Sequence, residues 1–174
     1  MPVEAKDPVT ALREAFPDAV QDVVEFRGET TVYVEPTKLA EVALFLRDAD
    51  GLRYNLLVNL TGIDYLPETP RFAVAYHLYS MLYNRTLRLK VRLPEDNPTV
   101  PTVTTVWPTA NWLEREAYDM LGIVFEGHPD PRRILMPPEW EGHPLRKDYP
   151  LGYETVQFSF NYDEIDRHKP YAKE

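Results

Sequence analysis

The stretch TLRLKVRLP, residues 86–94, alternates apolar and cationic side chains along its whole length. The apolar positions are Leu87, Leu89, Val91 and Leu93. The cationic positions are Arg88, Lys90 and Arg92. Successive side chains of a β-strand point to opposite faces, so the pattern predicts a strand with one buried face. Its other face carries cations toward water or an acidic partner.

Further helices and strands are predicted on either side of this strand. Asp7 followed by Pro8 indicates a helix start, and Gly51 and Gly122 each lie just past the end of an amphipathic helix. The predicted helices are 9–16, 37–50 and 109–121, and the other predicted strands are 19–26, 30–36, 54–65 and 71–80. Helices interspersed with hairpin-like strands predict an α+β fold, in which a mostly antiparallel or mixed sheet is layered with helices.

Composition excludes several classes of function. The chain has 174 residues, no cysteine and a formal net charge of -9. Disulfides, thiolate catalysis and cysteine-ligated zinc or iron–sulfur clusters are therefore excluded in this chain, and a general affinity for nucleic acid is not expected. No run approaches the roughly 20 apolar residues that cross a bilayer. The first ten residues lack a signal or transit pattern, so we expect a cytosolic protein.

Six prolines between residues 129 and 150 mark a different texture after residue 128. Proline rejects helix interiors and central strands, so we predict an α+β domain over 1–128 and an extended partner-docking arm and tail over 129–174. The arm also carries large apolar residues but cannot form a core of its own. It must therefore lie on its own domain or on another protein. We expect residues after about Pro129 to be mobile in the isolated chain.

A catalytic interpretation rests on Glu114, Glu116 and His128, which would have to converge in a free-standing hydrolase. The two glutamates are two residues apart on a predicted helix and point in different directions. Glu116 falls on the apolar stripe of that helix, so it needs a cation from Arg132, Arg133, Arg146 or another polypeptide. Arg115 and Asp119 are four apart and are expected to pair on the helix surface.

A metal site built from His128, His143, Asp130 and Glu141 has no recognised ligand spacing. Both histidines precede prolines, and hydrogen bonds within loops are the expected role. Gly122 and Gly127 have P-loop spacing, but His128 stands where lysine is required. No dinucleotide-binding or nucleophile-elbow motif occurs. The density of apolar and ionic groups around Trp112 and Trp140 instead favours an interaction or scaffold protein.

The same segment resembles one family closely. The sequence ERE at 114–116, the following Asp119 and Gly122, FEGHPD at 125–130, RRIL at 132–135 and GHPLRKDYPL at 142–151 are similar to the signature of the thirty-kilodalton subunit of the respiratory NADH:quinone oxidoreductase, complex I. LTGIDY at 60–65 also resembles this family. The resemblance extends over roughly residues 30 to 151.

This resemblance implies a non-catalytic subunit of the hydrophilic arm, with FMN, iron–sulfur clusters and quinone bound in neighbouring subunits. It implies docking against the large subunit that holds the quinone site, next to the subunit that bears an iron–sulfur cluster, on the cytoplasmic side of the membrane. The family residues map to a set with an expected structural role at the interface between subunits: Glu114, Arg115, Glu116, Asp119, His128, Arg132, Arg133, Trp140, His143, Arg146, Lys147 and Asp148.

Two features depart from the family pattern or add nothing to it. Pro131 stands where members often carry leucine, and the tail after Leu151 holds no usable motif. A homologous subunit of a membrane-bound hydrogenase or related dehydrogenase complex is the alternative, because the electron donor is not read from this chain.

Overall fold

The computed structural model describes residues 4–150, and the tail of the predicted arm, 151–174, lies outside them. Within 4–150 the chain forms three α-helices and two sheets. The helices are α1 (Pro8–Ala15), α2 (Leu39–Asp48) and α3 (Ala110–Leu121). The strands are β1 (Val20–Phe26), β2 (Glu29–Val34), β3 (Leu56–Asp64), β4 (Phe72–Ser80), β5 (Arg85–Leu93), β6 (Thr99–Pro101) and β7 (Val124–Glu126).

The larger sheet has five strands in the order β1-β2-β5-β4-β3. The β1–β2, β3–β4 and β4–β5 pairs are antiparallel, whereas β2 and β5 are parallel. The predicted α+β class with a mixed sheet is therefore confirmed. The parallel pairing was not foreseen, because it joins strands that α2 and two further strands separate along the chain.

The alternation in 86–94 is confirmed by burial. The four apolar residues of β5 are at most 2 % exposed and belong to the main core. Its three cations are half-buried on the opposite face. Arg88 pairs there with Glu29 at 2.5 Å, and Lys90 donates to the Tyr65 hydroxyl. The three helices contribute to the same core as the apolar face of β5, so one sheet face is the packed face.

Gly62 in β3 lets α3 approach the sheet closely. A Cβ at this position would lie 2.5 Å from Leu121 Cδ1 and 3.1 Å from Ile123 Cδ1. A side chain at this position would therefore require the Leu121 and Ile123 side chains to shift. The contact fixes the end of α3 against β3, where the candidate site begins.

Two short strands were not predicted. β6 and β7 pair in parallel next to α3, with Thr99 opposite Val124 and Pro101 opposite Glu126. Residues 127–150, which follow β7, contain neither helix nor strand. No helix among the described residues has the length and apolar character needed to cross a membrane.

Candidate functional site

The end of α3 is closed by Gly122, which has a φ of 75° and donates its N–H to Tyr118 O at 2.8 Å. A left-handed residue at this position is the usual helix terminator. A side chain there would collide with His143 and Arg146, which both return to this point. The end of the helix is therefore shaped to receive residues that lie more than twenty positions further along the chain.

Three carbonyls at the end of α3 are satisfied by this returning segment. Asp119 O contacts His143 Nδ1 at 3.0 Å, and Met120 O accepts from the Leu145 N–H at 3.0 Å. Leu121 O accepts from Arg146 Nε at 2.6 Å. The last carbonyls of a helix have no partner within the helix, so these contacts replace water at a part-buried site.

Asp119 is the acceptor around which the first part of the proline-rich segment folds. Its side chain is fully buried. Oδ2 accepts the N–H groups of Ile134, Leu135 and Met136 at 2.8–3.0 Å, and Oδ1 accepts Arg133 Nη1 at 2.6 Å. Burial alone raises the pKa of Asp119, but these four donors together hold it below its ordinary value.

Arg115 supplies donors to the same strip of chain. Nε and Nη2 donate to the carbonyls of Arg132 and Arg133 at 2.9 and 3.1 Å, and Nη1 lies 3.6 Å from Asp130 Oδ2. The predicted surface pair between Arg115 and Asp119 is therefore wrong. Both side chains are buried, and each binds the backbone of 132–136, one through its carbonyls and the other through its N–H groups.

Glu114, not Glu116, is the buried glutamate of α3. Its side chain is fully buried, with Oε2 accepting from Thr102 Oγ1 at 2.5 Å and Oε1 from the Val103 N–H at 2.8 Å. The nearest ring nitrogen of His128 is 3.8 Å from Oε2. Burial raises the pKa of Glu114 to about 7, against the effect of the two hydrogen bonds.

His128 has a role that depends on a single tautomer. Its Nδ1 accepts the Asp130 N–H at 3.0 Å, so the ring proton is on Nε2, which then donates to Asn111 O at 3.1 Å. His143 carries its proton on Nδ1, since that nitrogen faces the Asp119 carbonyl. The expected hydrogen bonds of both histidines are thus present, and residues 4–150 hold no cluster of three ligands placed for a metal ion.

Glu116 is exposed and lies on another side of α3, so the convergence that a hydrolase requires is not formed. Its expected pairing with Arg132, Arg133 or Arg146 is also wrong. Arg132 pairs with Asp130 at 2.6 Å and Arg133 pairs with Asp119. Within the described chain no cation reaches the Glu116 carboxylate within 4 Å.

Arg71 anchors the far end of the segment and was not predicted. Its side chain is 3 % exposed and makes two contacts each with Asp64 and Asp148, at 2.7–3.0 Å, and one with Glu95 at 2.6 Å. Asp64 Oδ2 also accepts the Lys147 N–H at 2.9 Å. The Arg71 guanidinium is the main cause that holds the pKa of Asp64 far below its ordinary range.

The predicted residues thus fall into three groups. Arg115, Asp119, Arg133, His143 and Arg146 meet around the second half of α3, with Arg132 contributing a carbonyl. Lys147 and Asp148 join Arg71, and Glu114 lies beside His128. Glu116 joins none of these clusters, and the backbone N–H of Trp140 donates locally to Pro137 O at 3.1 Å.

Fold and site together define a small α+β protein whose charged residues mainly fix an irregular segment against one helix. The description "Respiratory-chain NADH dehydrogenase, 30 Kd subunit" belongs to a family profile that matches residues 32–155. The chain is therefore a member of this family, as the sequence resemblance indicated.

Relatives support the same membership over most of the chain. The C subunit of the NADH-quinone oxidoreductase of Roseiflexus sp. (strain RS-1) is 56 % identical over 163 residues, which are 94 % of each chain. Its counterpart from Geotalea uraniireducens (strain Rf4) is 52 % identical over 143 residues, 82 % of this chain and 86 % of the relative.

Two solved structures share the fold. The trypsin-resistant fragment (1-134) of Nqo5 is 34 % identical, with a TM-score of 0.58 over 70 % of this chain and 97 % of the fragment. A chain of the membrane-bound sulfane sulfur reductase, an archaeal respiratory membrane complex, has a TM-score of 0.70 at 22 % identity over 95 % of this chain and 94 % of its own. This second likeness concerns the fold alone.

The Asp119 carboxylate predicts protection of three consecutive amides. In the purified chain, the N–H groups of residues 134–136 should exchange with solvent far more slowly than an unstructured peptide, although the sequence suggested a mobile arm. Asp119→Asn removes the charge and should lower their protection by at least about 10-fold, since hydrogen bonds to charged groups contribute about 1.5–3 kcal/mol. Hydrogen exchange read by mass spectrometry measures this. Asp48→Asn, on an exposed pair, is the control, and peptide-like exchange in the wild type would refute the prediction.

Arg71→Met should destabilise the chain by about 3–5 kcal/mol, because it leaves the buried Asp64 without its cation. The last part of the segment should also open, so trypsin should cleave after Arg146 and Lys147 faster than in the wild type. Urea unfolding and timed proteolysis measure the two effects. Arg53→Met breaks only the exposed pair with Asp50 and should change neither. Unchanged cleavage in Arg71→Met would count against an anchor at this end.

Glu114 predicts a pH-dependent contribution to stability. Its pKa is about 7 in the fold and 4.5 ordinarily, so its stabilising contribution is complete below about pH 4.5 and is lost as pH rises through about 7. Glutamine cannot ionise, so Glu114→Gln should remove this pH dependence of the unfolding free energy, which amounts to about 3 kcal/mol in total. The measurement is the difference between wild-type and variant unfolding free energies from pH 4.5 to 8. Glu116→Gln, at an exposed site, should leave the wild-type slope, and parallel curves for Glu114→Gln would contradict the prediction.

Proposed function

We propose that this chain is a non-catalytic structural subunit of the hydrophilic arm of a proton-translocating NADH:quinone oxidoreductase. It docks against the quinone-site subunit, next to the cluster-bearing subunit, on the cytoplasmic side of the membrane. FMN, iron–sulfur clusters and quinone belong to those neighbours and to other subunits of the arm. The chain supports electron transfer from NADH to quinone by holding its neighbours in position, without itself binding a cofactor.

One observation carries the proposal: the charged family residues bind the chain's own backbone and leave apolar side chains outside. Arg115 and Asp119 form hydrogen bonds with the peptide groups of residues 132–136. Leu135 and Leu145, on the segment that they and Arg146 hold, are 60 % and 62 % exposed. Exposed apolar side chains on a fixed backbone are typical of an interface between subunits.

The catalytic alternative lacks such support. A hydrolase needs Glu114, Glu116 and His128 around one reacting atom, but Glu116 lies on a different side of α3. A cleft of about 320 Å³ does open beside Glu114 and His128, with Tyr118 and Phe125 in its walls. Glu114 and His128 already use their polar atoms within the chain, so no nucleophile and base are free to act there.

Purification of the tagged chain from its native host in mild detergent tests the proposal. We expect recovery with the quinone-site, cluster-bearing and flavin subunits, identified by mass spectrometry. Hydrogenase subunits in their place would assign the chain to a membrane-bound hydrogenase or related complex. Recovery of the tagged chain alone would contradict a structural role in either complex. The variant Glu114→Gln separates a structural subunit from the hydrolase alternative. A structural subunit with this substitution should fold and assemble, whereas a hydrolase should lose turnover.

A further inference from the structure

A shallow hollow of about 30 Å³ lies where β3, α3 and the proline-rich segment meet. Its floor is apolar, with Leu60, Ala117 and Met120 each at most 7 % exposed. Leu145 forms part of its wall and is 62 % exposed. The hollow is large enough for the tip of one side chain and is open to the outside.

Glu116 lines this hollow and is the carboxylate of α3 to which the described residues give neither a cation nor a hydrogen-bond donor. Glu114 is held by Thr102 and Val103, and Asp119 by Arg133 and three backbone N–H groups. On a helix the partners of Glu116 would stand three or four residues away. Those positions hold Trp112, Leu113, Asp119 and Met120, none of them a cation.

The surroundings of Glu116 are unusual for a solvated glutamate. Leu145, which lines the hollow together with Glu116, is 62 % exposed, and Trp112, one turn earlier on α3 and not part of the lining, is 61 % exposed. A protein that covers the hollow and these apolar groups also removes water from the Glu116 carboxylate. An ionised group buried in this way is costly unless a cation accompanies the covering surface.

We propose that this hollow receives a segment of a neighbouring subunit that presents a lysine or arginine to Glu116 and an apolar side chain to Leu145. The inference rests on the proposed function, because it requires a neighbour at this face. It adds the chemistry of the contact: a cation with an adjacent apolar residue, not an acidic or purely apolar segment. The hydrogen bond from the Leu145 N–H to Met120 O holds this lining residue in place within the chain itself.

The test uses the intact complex carrying single substitutions in this chain. The complex is purified through the tagged chain, and release of the neighbouring subunits on dilution is followed by size-exclusion chromatography. Glu116→Gln should release them at least about 10-fold faster than the wild type, because it strips the partner cation of its charge partner. Glu116→Lys should release them faster still. Glu14→Gln, an exposed glutamate on α1, should stay within about twofold of the wild type. Equal melting temperatures of the isolated variants exclude misfolding.

A photo-reactive benzoylphenylalanine at position 145 then identifies the neighbour. We expect its adduct on a partner peptide that contains lysine or arginine, and charge reversal of that residue should restore slow release in Glu116→Lys. Wild-type release in both Glu116 variants, or an adduct on a peptide without a cation, would overturn the inference and leave the proposed function intact. If the wild-type chain recovers no respiratory subunit, both fail together.

Discussion

The buried carboxylate of Asp119 accepts three successive backbone N–H groups and one guanidinium N–H, and the path of the chain after β7 depends on this contact. Three amides that point to one oxygen fix the backbone more narrowly than apolar packing does, since packing is not directional. Arg115, one turn earlier, holds the preceding carbonyls. The helix thus presents Arg115 as a donor and Asp119 as an acceptor, and the two side chains bind one continuous stretch of backbone, residues 132–136.

Burying these charges is tolerable because each has several partners. An isolated buried charge is strongly unfavourable, whereas one with most of its hydrogen-bonding positions occupied approaches neutrality in free energy. Arg71 shows the same principle at the other end of the segment, with three carboxylates around one nearly buried guanidinium. The irregular segment is therefore fixed at both ends by ionic groups, and Met136 packs against the core between them.

Sequence patterns among neighbouring residues predicted most helices and strands correctly, but they predicted the contacts between these elements poorly. The alternation of β5 and the glycine after α3 identified those elements, because each depends only on neighbouring residues. β6 and β7 were missed since three residues give no period, and the parallel β2–β5 pairing joins strands far apart in sequence. A hairpin brings Asp64 and Arg71 to facing strand ends, and that signal in the sequence would have pointed to the buried pair.

The candidate site shows the same division. Its residue set came from the resemblance, but the pairing of Arg115 with Asp119, assigned by helix spacing, was wrong, and so was the pairing of Glu116 with an arginine of the segment. The single-stripe rule assumes that one side of a helix is buried. α3 is covered by β3 on one side and by residues 130–146 on another, so Arg115 and Asp119 are also buried, and Glu114 is buried against Thr102 and Val103, although all three lie off the predicted stripe. Only the tertiary structure shows the second covering layer.

Recognition of residues 132–136 through peptide groups has a consequence for variation among related proteins. Arg115 and Asp119 bind N–H and C=O groups that every residue except proline supplies in full. The outward side chains at 134 and 135 are therefore free to change in size and polarity without altering the course of the backbone. Point substitutions can thus change this surface, whereas a proline at 134, 135 or 136 removes an N–H donor to Asp119.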